Sequence, residues 1–332
     1  MTKHLLIIRL SAFGDVAMTV PVISVLRSNY PDIKITVLTT KFFSYLFNQI
    51  PNIKFIYFKP EHKTVTGLFK LSRQINKLKP DQIIDLHDVL RTKILRLFLL
   101  NKSRNTIVLN KGRKEKLSLI KGSNLTQLKS MHQRYADTFA PLNINLDSFE
   151  HFKKINIDHN NYSFKSTDKL IGIAPFARHA CKEYSIQNIL NFTNLLNKGF
   201  QILFFGAPGK EEERITKLCE NKANRHVISS HYSLEEQMAI MSNLDVMISM
   251  DSANGHIASL FGINVITIWG ATHPYTGYGP LNQAKENSII PDQKKFPNLP
   301  VSVYGSNCPK DYLDAINSIK VEQILERLNQ II

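Results

Sequence analysis

Residues 246–262 read VMISMDSANGHIASLFG, and this stretch decides the fold class. Its first five residues are mostly apolar and have the length of a buried strand. The residues after Ser252 have the spacing of a short helix that ends at Gly262, and Asp251 and Ser252 are favourable N-cap residues at the junction. The stretch therefore predicts a strand that leads directly into a helix, which is the repeating unit of a parallel α/β sheet.

The alternation of short apolar runs and amphipathic segments continues along the chain on both sides of this unit. The predicted strands are His4–Arg9, Lys34–Thr39, Phe55–Phe58, Gln82–Leu86, Thr106–Leu109, Leu170–Ala174, Gln201–Phe205, His226–Ser229, Val246–Met250 and Asn264–Trp269. The predicted helices are Asp15–Ser28, Gly67–Leu78, Asp88–Leu99, Ser185–Leu196, Glu211–Glu220, Leu234–Ser242, Ala253–Phe261 and Val321–Ile332. This alternation predicts two parallel sheets with helices on both faces, one in each half of the chain.

The length of the chain predicts two domains, because 332 residues is about twice the usual domain length of ~100 to 200 residues. We place the boundary in the polar stretch 158–169, which gives a domain of residues 1–162 and a domain of residues 163–332. Ligands of open parallel sheets bind beyond the carboxyl ends of the strands, so we expect two doubly wound, Rossmann-like domains that face a cleft. The last helix has an apolar face, which we expect to pack back on the first domain.

The excess of basic charge is confined to the first half of the chain. Residues 1–160 carry 26 Lys and Arg against 11 Asp and Glu, whereas residues 161–332 carry 16 of each, so the net charge of +15 belongs to the first half. Such a field attracts an anionic partner: nucleic acid, acidic lipid head groups and a phosphorylated saccharide are all candidates, and a merely solvated basic face is the alternative. No zinc-finger spacing, RNP pattern or leucine zipper supports nucleic-acid binding.

The composition excludes several classes of protein. Hydrophobic residues make up 43% of the chain and charged residues 21%, which is typical of a soluble globular protein. The cysteines Cys181, Cys219 and Cys308 form no CxxC pair, so the sequence predicts neither a disulfide framework nor a zinc site. The apolar run Leu5–Ile8 is shorter than the core of a signal peptide, and no stretch approaches the ~20 apolar residues of a membrane span. We therefore expect a cytoplasmic protein.

The loop after the first predicted strand contains the first candidate for chemistry. Residues 10–15 read LSAFGD, with one glycine, so the loop does not match the GxGxxG fingerprint of dinucleotide-binding proteins. Asp15 lies in the first helical turn, where it can cap the helix or, at the carboxyl end of a strand that faces the expected cleft, act as a general base.

In the second half, two cations and a helix N-terminus indicate a diphosphate site. Arg178 and Lys182 lie in a loop that follows a predicted strand, where they can bind a diphosphate or be ordinary surface charges. Residues 206–210 resemble a phosphate loop but lack the Walker spacing. The helix after Ser252 presents free N–H groups to an anion, and His256 lies about one turn further, where it can donate a hydrogen bond to phosphate or sugar.

Together these motifs resemble those of glycosyltransferase family 9, the lipopolysaccharide heptosyltransferases. The resemblance covers nearly the whole chain, and it is carried by the order and spacing of its parts. The matching stretches are Ile8–Val16 (IRLSAFGDV), Thr19–Pro21 (TVP), Ile84–His87 (IDLH), Arg134–Tyr135 (RY), Met250–Ala258 (MDSANGHIA) and Trp269–Pro274 (WGATHP).

The resemblance implies the GT-B architecture, in which the first of two Rossmann-like domains binds the acceptor and the second binds the nucleotide sugar. It implies inverting transfer of a heptose, or a related sugar, from ADP-heptose to the anionic inner core of lipopolysaccharide or lipooligosaccharide. The basic first half agrees with an anionic acceptor at the cytoplasmic face of the inner membrane, where the protein would be peripheral. We expect no cofactor and no metal ion, because no Asp-x-Asp motif lies where it could hold a metal with a diphosphate.

Carried over residue by residue, the resemblance implies that Asp15 is the catalytic base and that Lys182 binds donor phosphate. The family's donor-site pattern Asp-Ser/Thr-Gly-x-x-His matches residues 251–256, except that Ala253 stands where the family usually has glycine, and alanine adopts fewer backbone conformations. The predicted phosphate-binding residues are Lys182, Arg178, Ser252, Gly255 and His256, supported by Asp251, Ala253 and Asn254. The candidate acceptor-binding residues are Ser11, Gly14, Lys111 and Arg113.

Two other functions stay open from the sequence. One is a GT-B protein of another reaction type, such as a sugar-nucleotide epimerase or an inactive donor-binding protein, and product analysis would distinguish it. The other is a nucleic-acid-binding protein that uses the basic half, and steeply salt-dependent DNA binding would indicate it. We expect no nucleic-acid partner.

Overall fold

A computed structural model describes residues 4–99, 106–122, 125–146, 168–196 and 199–332. The chain divides into two compact units: unit 1 is Met1–Lys111 with Met131–Lys153, and unit 2 is Gly112–Ser130 with Lys154–Ile332. The predicted boundary after residue 162 lies outside the described residues.

The segment Gly112–Ser130 belongs to unit 2, although the sequence-based division assigned it to the first domain. The Lys116 Nζ donates to the Tyr278 hydroxyl over 3.1 Å, and the Leu128 N–H donates to the Tyr275 carbonyl oxygen over 3.0 Å. These bonds attach the segment to residues far along the chain. The chain enters unit 2 at Gly112 and returns to unit 1 at Met131, so one boundary in the sequence cannot separate the two units.

Both units are built on parallel strands. The described strands are β1 (His4–Ile8), β2 (Lys34–Thr39), β3 (Ile53–Tyr57), β4 (Gln82–Asp85), β5 (Thr106–Val108), β6 (Lys169–Ala174), β7 (Phe200–Phe205), β8 (Arg225–Ile228), β9 (Val246–Met250), β10 (Asn264–Ile268) and β11 (Ser288–Ile289). The sheet of unit 1 has the order β3-β2-β1-β4-β5, and that of unit 2 has the order β11-β10-β9-β6-β7-β8. Paired strands are parallel throughout both sheets as described.

The helices connect these strands. The described α-helices are α1 (Phe13–Asn29), α2 (Lys41–Ser44), α3 (Val65–Leu78), α4 (Leu90–Leu97), α5 (Arg113–Ile120), α6 (Met131–Asp137), α7 (Ile186–Leu195), α8 (Lys210–Cys219), α9 (Leu234–Met241), α10 (Ala253–Leu260) and α11 (Val321–Asn329). Helix α5 belongs to unit 2, whereas α6 belongs to unit 1.

The predicted α/β class with two doubly wound parallel sheets is confirmed. Every predicted strand is present, with ends displaced by at most two residues. Strand β11 and helices α2, α5 and α6 were not predicted. Strand β11 has two residues and α2 has four, which is too short for a periodic pattern, and α5 (RKEKLSLI) is dominated by charge.

In each sheet the strand order reverses direction at one place, which we call the switch point. It lies between β1 and β4 in unit 1 and between β6 and β9 in unit 2. Crossovers between parallel strands are right-handed, so the reversal places successive helices on opposite faces and leaves a crevice at the carboxyl ends. Asp15 follows β1, and Asp251 follows β9. The two main candidate carboxylates therefore lie at the switch points of their own sheets.

Helix α11 packs within unit 2, in contrast to its expected return to the first domain. Its buried residues Ile324 and Leu328 belong to the hydrophobic core that also contains residues of β6, β7, β9 and β10. The helix contacts α7 and β10. Its apolar face is thus covered by the sheet and helix that precede it in the same unit.

Among the described residues, every helix is too short or too polar to cross a bilayer.

Candidate active site

Asp15 of unit 1 is held by two buried side chains. The Arg9 guanidinium contacts one carboxylate oxygen, with Nη2 2.8 Å from Oδ2. The Tyr135 hydroxyl donates to the other oxygen, Oδ1, over 3.2 Å. The side chain of Asp15 is 27% exposed, whereas that of Arg9 is 5% exposed. The carboxylate is therefore the accessible end of a buried polar cluster.

The capping role that the sequence allowed for Asp15 is not observed. The N-cap residue of α1 is Ala12, and the helix has no side-chain cap. The carboxylate instead accepts from Arg9 and Tyr135. Its negative charge still lies in the first turn of α1, where the helix dipole is favourable to it.

Arg9 connects the end of β1 with the end of β4. Its Nη1 donates to the Leu86 carbonyl oxygen over 2.6 Å, and its guanidinium lies over the Tyr135 ring at 5.6 Å from the centroid. The guanidinium thus bridges the switch point of unit 1. Since Arg9 is fixed by backbone and ring contacts, it can hold Asp15 in one orientation.

A neutral histidine lies beside this cluster. His87 follows β4, and its Nε2 lies 3.3 Å from the Ser11 hydroxyl, within hydrogen-bond distance. Burial, together with the positive charges of Arg9 and Lys111, lowers the pKa of His87 to about 3. Ser11, predicted to contact the acceptor, is partly exposed, as is Gly14 in the first turn of α1.

The other two candidate acceptor residues lie in different units. Lys111 ends the first stretch of unit 1, where its Nζ donates to the Asp88 carbonyl oxygen over 3.2 Å. Arg113 is exposed and begins α5 of unit 2. The structure therefore does not bring Arg113 into the unit that holds Ser11, Gly14 and Lys111.

In unit 2, an ion pair spans the switch point between β6 and β9. Lys182 lies in the short 3-10 turn Ala180–Lys182, and its Nζ is 2.8 Å from Oδ2 of Asp251, which follows β9. The Thr272 hydroxyl donates to the same oxygen over 2.9 Å. The side chains of Lys182 and Asp251 are 12% and 9% exposed. A largely buried lysine at the carboxyl edge of a sheet can form a charge-assisted contact to an incoming phosphate.

The stem of Lys182 is positioned by glycines at two other points of unit 2. Gly305 has φ +82°, and a Cβ there would come within 2.6 Å of the Lys182 Cδ. A Cβ on Gly270 would overlap the carbonyl oxygen of Cys181, to which the Ala271 N–H donates over 3.1 Å. Close approach of backbone at both positions therefore fixes the turn that carries Lys182.

The N-terminus of α10 has no side-chain cap, contrary to the expected role of Asp251 and Ser252. The Asp251 carboxylate binds Lys182 and Thr272 instead. The Ser252 hydroxyl lies 3.1 Å from the hydroxyl of Ser249. The first N–H groups of this helix therefore receive no bond from a capping side chain, which is the condition under which a helix N-terminus binds an anion.

The departure from the family pattern at Ala253 is accommodated. Ala253 begins α10 and is absent from the described residues with positive φ, so the backbone there is one that alanine readily adopts. Gly255 is buried, and a Cβ there would lie 3.2 Å from the Ser249 hydroxyl and 3.3 Å from a Val265 methyl group. The structure thus gives Gly255 a packing role. Asn254 is partly exposed and His256 is buried.

Arg178 differs from Lys182, although both lie in the loop after β6. Arg178 is exposed, and within the described residues it forms no ion pair. The two cations predicted together thus differ: Lys182 is paired and largely buried, whereas Arg178 is exposed.

Several residues of these two clusters were not assigned roles from the sequence. Arg9, Tyr135 and Thr272 lie inside motifs that carried the family resemblance, so a signal existed but their contacts did not follow from it. Gly305 gave no signal, because a single glycine in an irregular stretch has no pattern. As for metals, no group of three or more His, Cys, Asp or Glu in the described part of the chain could hold an ion.

Comparison with known proteins agrees with this fold and these motifs. A sequence model of glycosyltransferase family 9 (heptosyltransferase) matches residues 68–300. The lipopolysaccharide core heptosyltransferase OpsX of Haemophilus influenzae is 26% identical over 93% of this chain and 87% of its own length.

Two solved structures share the fold. A glycosyltransferase family 9 protein from Veillonella parvula superposes with a TM-score of 0.76 at 20% identity, over 99% of this chain and 97% of its own. Escherichia coli heptosyltransferase WaaC with ADP superposes with a TM-score of 0.71 at 17% identity, over 99% of this chain and 100% of its own. Since the family match covers well over half of the sequence, the chain belongs to glycosyltransferase family 9 and is a glycosyltransferase.

Proposed function

We propose that this enzyme transfers a heptose from ADP-heptose to an anionic inner-core acceptor of lipopolysaccharide or lipooligosaccharide, with inversion at the anomeric carbon. The observation that carries the proposal is the Asp15 carboxylate, which lies at the switch point of unit 1, partly exposed and fixed by Arg9 and Tyr135. Family membership favours sugar transfer over the epimerase and nucleic-acid alternatives.

In this mechanism Asp15 is the general base. Its carboxylate accepts the proton of an acceptor hydroxyl while that oxygen attacks the anomeric carbon of the donor. The bond from that carbon to the diphosphate oxygen breaks on the opposite side, and ADP leaves with the electron pair. Both carboxylate oxygens are held by donors, so the group is oriented before the acceptor arrives.

Unit 2 would bind the departing diphosphate. Lys182 supplies a positive charge from a buried position, and α10 supplies N–H groups without a side-chain cap. Negative charge grows on the leaving group in the transition state, so a cation and N–H donors already in place lower the barrier. We assign Ser252 and His256 to the same diphosphate site and Arg178 to its exposed margin. This arrangement supplies the stabilisation for which other transferases use a metal ion, and we propose that transfer is metal-independent.

Unit 1 would bind the acceptor. Unit 1, residues 1–111 with 131–153, carries 20 Lys and Arg against 9 Asp and Glu, a net charge of +11 that suits an acceptor with carboxylate and phosphate groups. Ser11, Gly14 and Lys111 lie near the carboxyl edge of its sheet and are the proposed contacts. We further propose that the enzyme acts in the cytoplasm as a peripheral protein at the inner membrane, where a glycolipid acceptor would be presented.

The direct test is product analysis. The enzyme is incubated with ADP-heptose and a deacylated Kdo-bearing acceptor, and the product is examined by mass spectrometry and by NMR of the new anomeric centre. We expect the acceptor to gain one heptose with inverted configuration. Transfer from UDP- or GDP-sugars in preference to ADP-heptose would overturn the proposed donor, and retention of configuration would overturn the mechanism.

A further inference from the structure

The contacts of Asp15 extend the proposed function, on which this inference rests, to a residue with no assigned role. We propose that Tyr135 is a positioning residue: its hydroxyl fixes the orientation of the Asp15 carboxylate so that the other lone pairs face the acceptor. Tyr135 lies in α6, which packs on α1, the helix that carries Asp15.

The geometry separates the tasks of the two carboxylate oxygens. Oδ2 is bound by Arg9 at 2.8 Å, and Oδ1 accepts from the Tyr135 hydroxyl at 3.2 Å. With Arg9 alone, the plane of the carboxylate could still twist about the Cβ–Cγ bond. A second donor on the other oxygen restrains that twist, because both bonds are made together only when the plane has one orientation.

Burial shows which member of the cluster can meet a substrate. Tyr135 is fully buried, whereas the Asp15 side chain is 27% exposed. A substrate can therefore reach the carboxylate but not the phenol, so Tyr135 acts through Asp15. The ring of Tyr135 also lies under the Arg9 guanidinium, at 5.6 Å from its centroid. One side chain thus supports both the base and the cation paired with it.

The test is the isosteric variant Tyr135→Phe, which keeps the ring and removes the hydroxyl. Misplacement of a catalytic group by about 1 Å can cost about a hundredfold in rate, so we expect kcat to fall by about ten- to hundredfold when the carboxylate loses its fixed orientation. The KM values for donor and acceptor should stay within about twofold, because Tyr135 touches neither substrate.

Tyr30→Phe is the matched control, because it likewise removes a hydrogen-bonded phenol hydroxyl from unit 1: the Tyr30 hydroxyl accepts from the Asn145 N–H over 3.1 Å. It should leave kcat unchanged. Rates are measured at a temperature at which circular dichroism shows all variants folded. A second measurement is a crystal structure of Tyr135→Phe, in which we expect the Asp15 carboxylate in more than one orientation.

Three results would overturn the proposal: a kcat for Tyr135→Phe within twofold of wild type, an equal loss in Tyr30→Phe, or a main effect on the acceptor KM. Asp15→Asn separates this failure from failure of the proposed function. If Asp15→Asn is inactive while Tyr135→Phe is fully active, only the positioning role of Tyr135 is wrong. If Asp15→Asn turns over normally, the base assignment itself falls.

Discussion

An ion pair lies at the switch point of the sheet in each unit, Arg9–Asp15 in unit 1 and Lys182–Asp251 in unit 2, and the two pairs differ in the exposure of the carboxylate. In unit 1, Arg9 is the buried member, at 5% exposure, and Asp15 is the accessible one, at 27%. In unit 2 both members are largely buried, and the carboxylate of Asp251, at 9% exposure, is more so than Lys182, at 12%. Both pairs have the same N–O distance of 2.8 Å.

We propose that this difference gives each pair its own chemical task. A rigid, backbone-bound arginine holds an exposed carboxylate in place, so unit 1 presents an acceptor of protons. In unit 2 the carboxylate is fixed by Thr272, and its partner is a lysine, whose ammonium can turn toward another anion. Asp251 then serves as the resting partner of Lys182. On this proposal, the same kind of ion pair offers a base in one unit and a cation in the other.

Removal of the exposed carboxylate should have the largest effect. Asp15→Asn keeps the shape of the side chain but cannot accept the proton, so we expect kcat to fall by about three orders of magnitude, near the upper range for general base catalysis. Initial rates at saturating donor and acceptor measure it. Asp32→Asn, which changes an exposed aspartate of the same unit, is the control and should behave as wild type. Turnover of Asp15→Asn above one tenth of the wild-type rate would show that Asp15 is not the base, and the proposed difference in task between the two ion pairs would be wrong.

Removal of the buried cation of unit 2 should mainly weaken donor binding. Lys182→Ala deletes a charge-assisted contact to phosphate, so we expect the KM for the donor to rise by about ten- to hundredfold. Arg178→Ala removes an exposed cation of the same loop and should raise it by less than about threefold, because exposed charges are screened. Variant folding is checked by thermal unfolding, since Asp251 would lose its charged partner. Equal effects of both changes would contradict a special role for the buried lysine.

Each unit also contains a buried neutral histidine near these residues, which predicts sensitivity to acid. Burial lowers the pKa of His273 to about 4, and burial with nearby cations lowers that of His87 to about 3. The unfolded chain binds these protons from its ordinary pKa of ~6.5 downward, whereas the folded chain does not, so stability falls as pH decreases below ~6.5.

The free energy of unfolding should decrease by up to about 1.4 kcal/mol per pH unit for each such histidine, between pH ~6 and its lowered pKa. Urea unfolding at several pH values measures the slope of the unfolding free energy against pH. His87→Gln should give a shallower slope than wild type, whereas His231→Gln, which changes an exposed histidine, should leave it unchanged. Parallel slopes for His87→Gln and wild type would show that His87 is not kept neutral by the fold.

The smallest expected effect is that of a chelator. Because Lys182 and the N-terminus of α10 are proposed to stabilise the leaving diphosphate, excess EDTA should change the rate by less than about twofold. The assay compares rates before and after chelation, with Mg²⁺ added back. A loss of activity that Mg²⁺ restores would mean that a metal ion shares the task of Lys182.

The sequence predicted the architecture well because strands and helices of parallel α/β units have strong periodic signals. The strand Val246–Met250 is found with the predicted ends, and Asp15 and Asp251 follow interior strands as their positions suggested. The excursion of Gly112–Ser130 into unit 2 was not predictable, because hydrogen bonds between residues about 150 positions apart leave no local pattern.

The candidate site was predicted as residue types but not as contacts. Lys182 and Asp251 were both assigned to the donor site, yet nothing in the sequence indicated that they pair with each other. Likewise, Asp251 and Ser252 are residue types that favour a helix N-cap, but neither side chain caps α10. Asp251 pairs with Lys182, and the Ser252 hydroxyl lies next to that of Ser249. The local sequence favours Asp251 as an N-cap, but Asp251 pairs with Lys182 across the switch point instead. The ion pair is preferred because it also gives the largely buried ammonium of Lys182 a partner.

The division of tasks between the two ion pairs is tested most directly by calorimetric titration of ADP into three proteins: wild type, Asp15→Asn and Lys182→Ala. If unit 2 alone grips the diphosphate, Asp15→Asn should bind ADP within about twofold of wild type, and Lys182→Ala should bind it at least about tenfold more weakly. Normal ADP binding by Lys182→Ala, or equal weakening in both variants, would contradict the account.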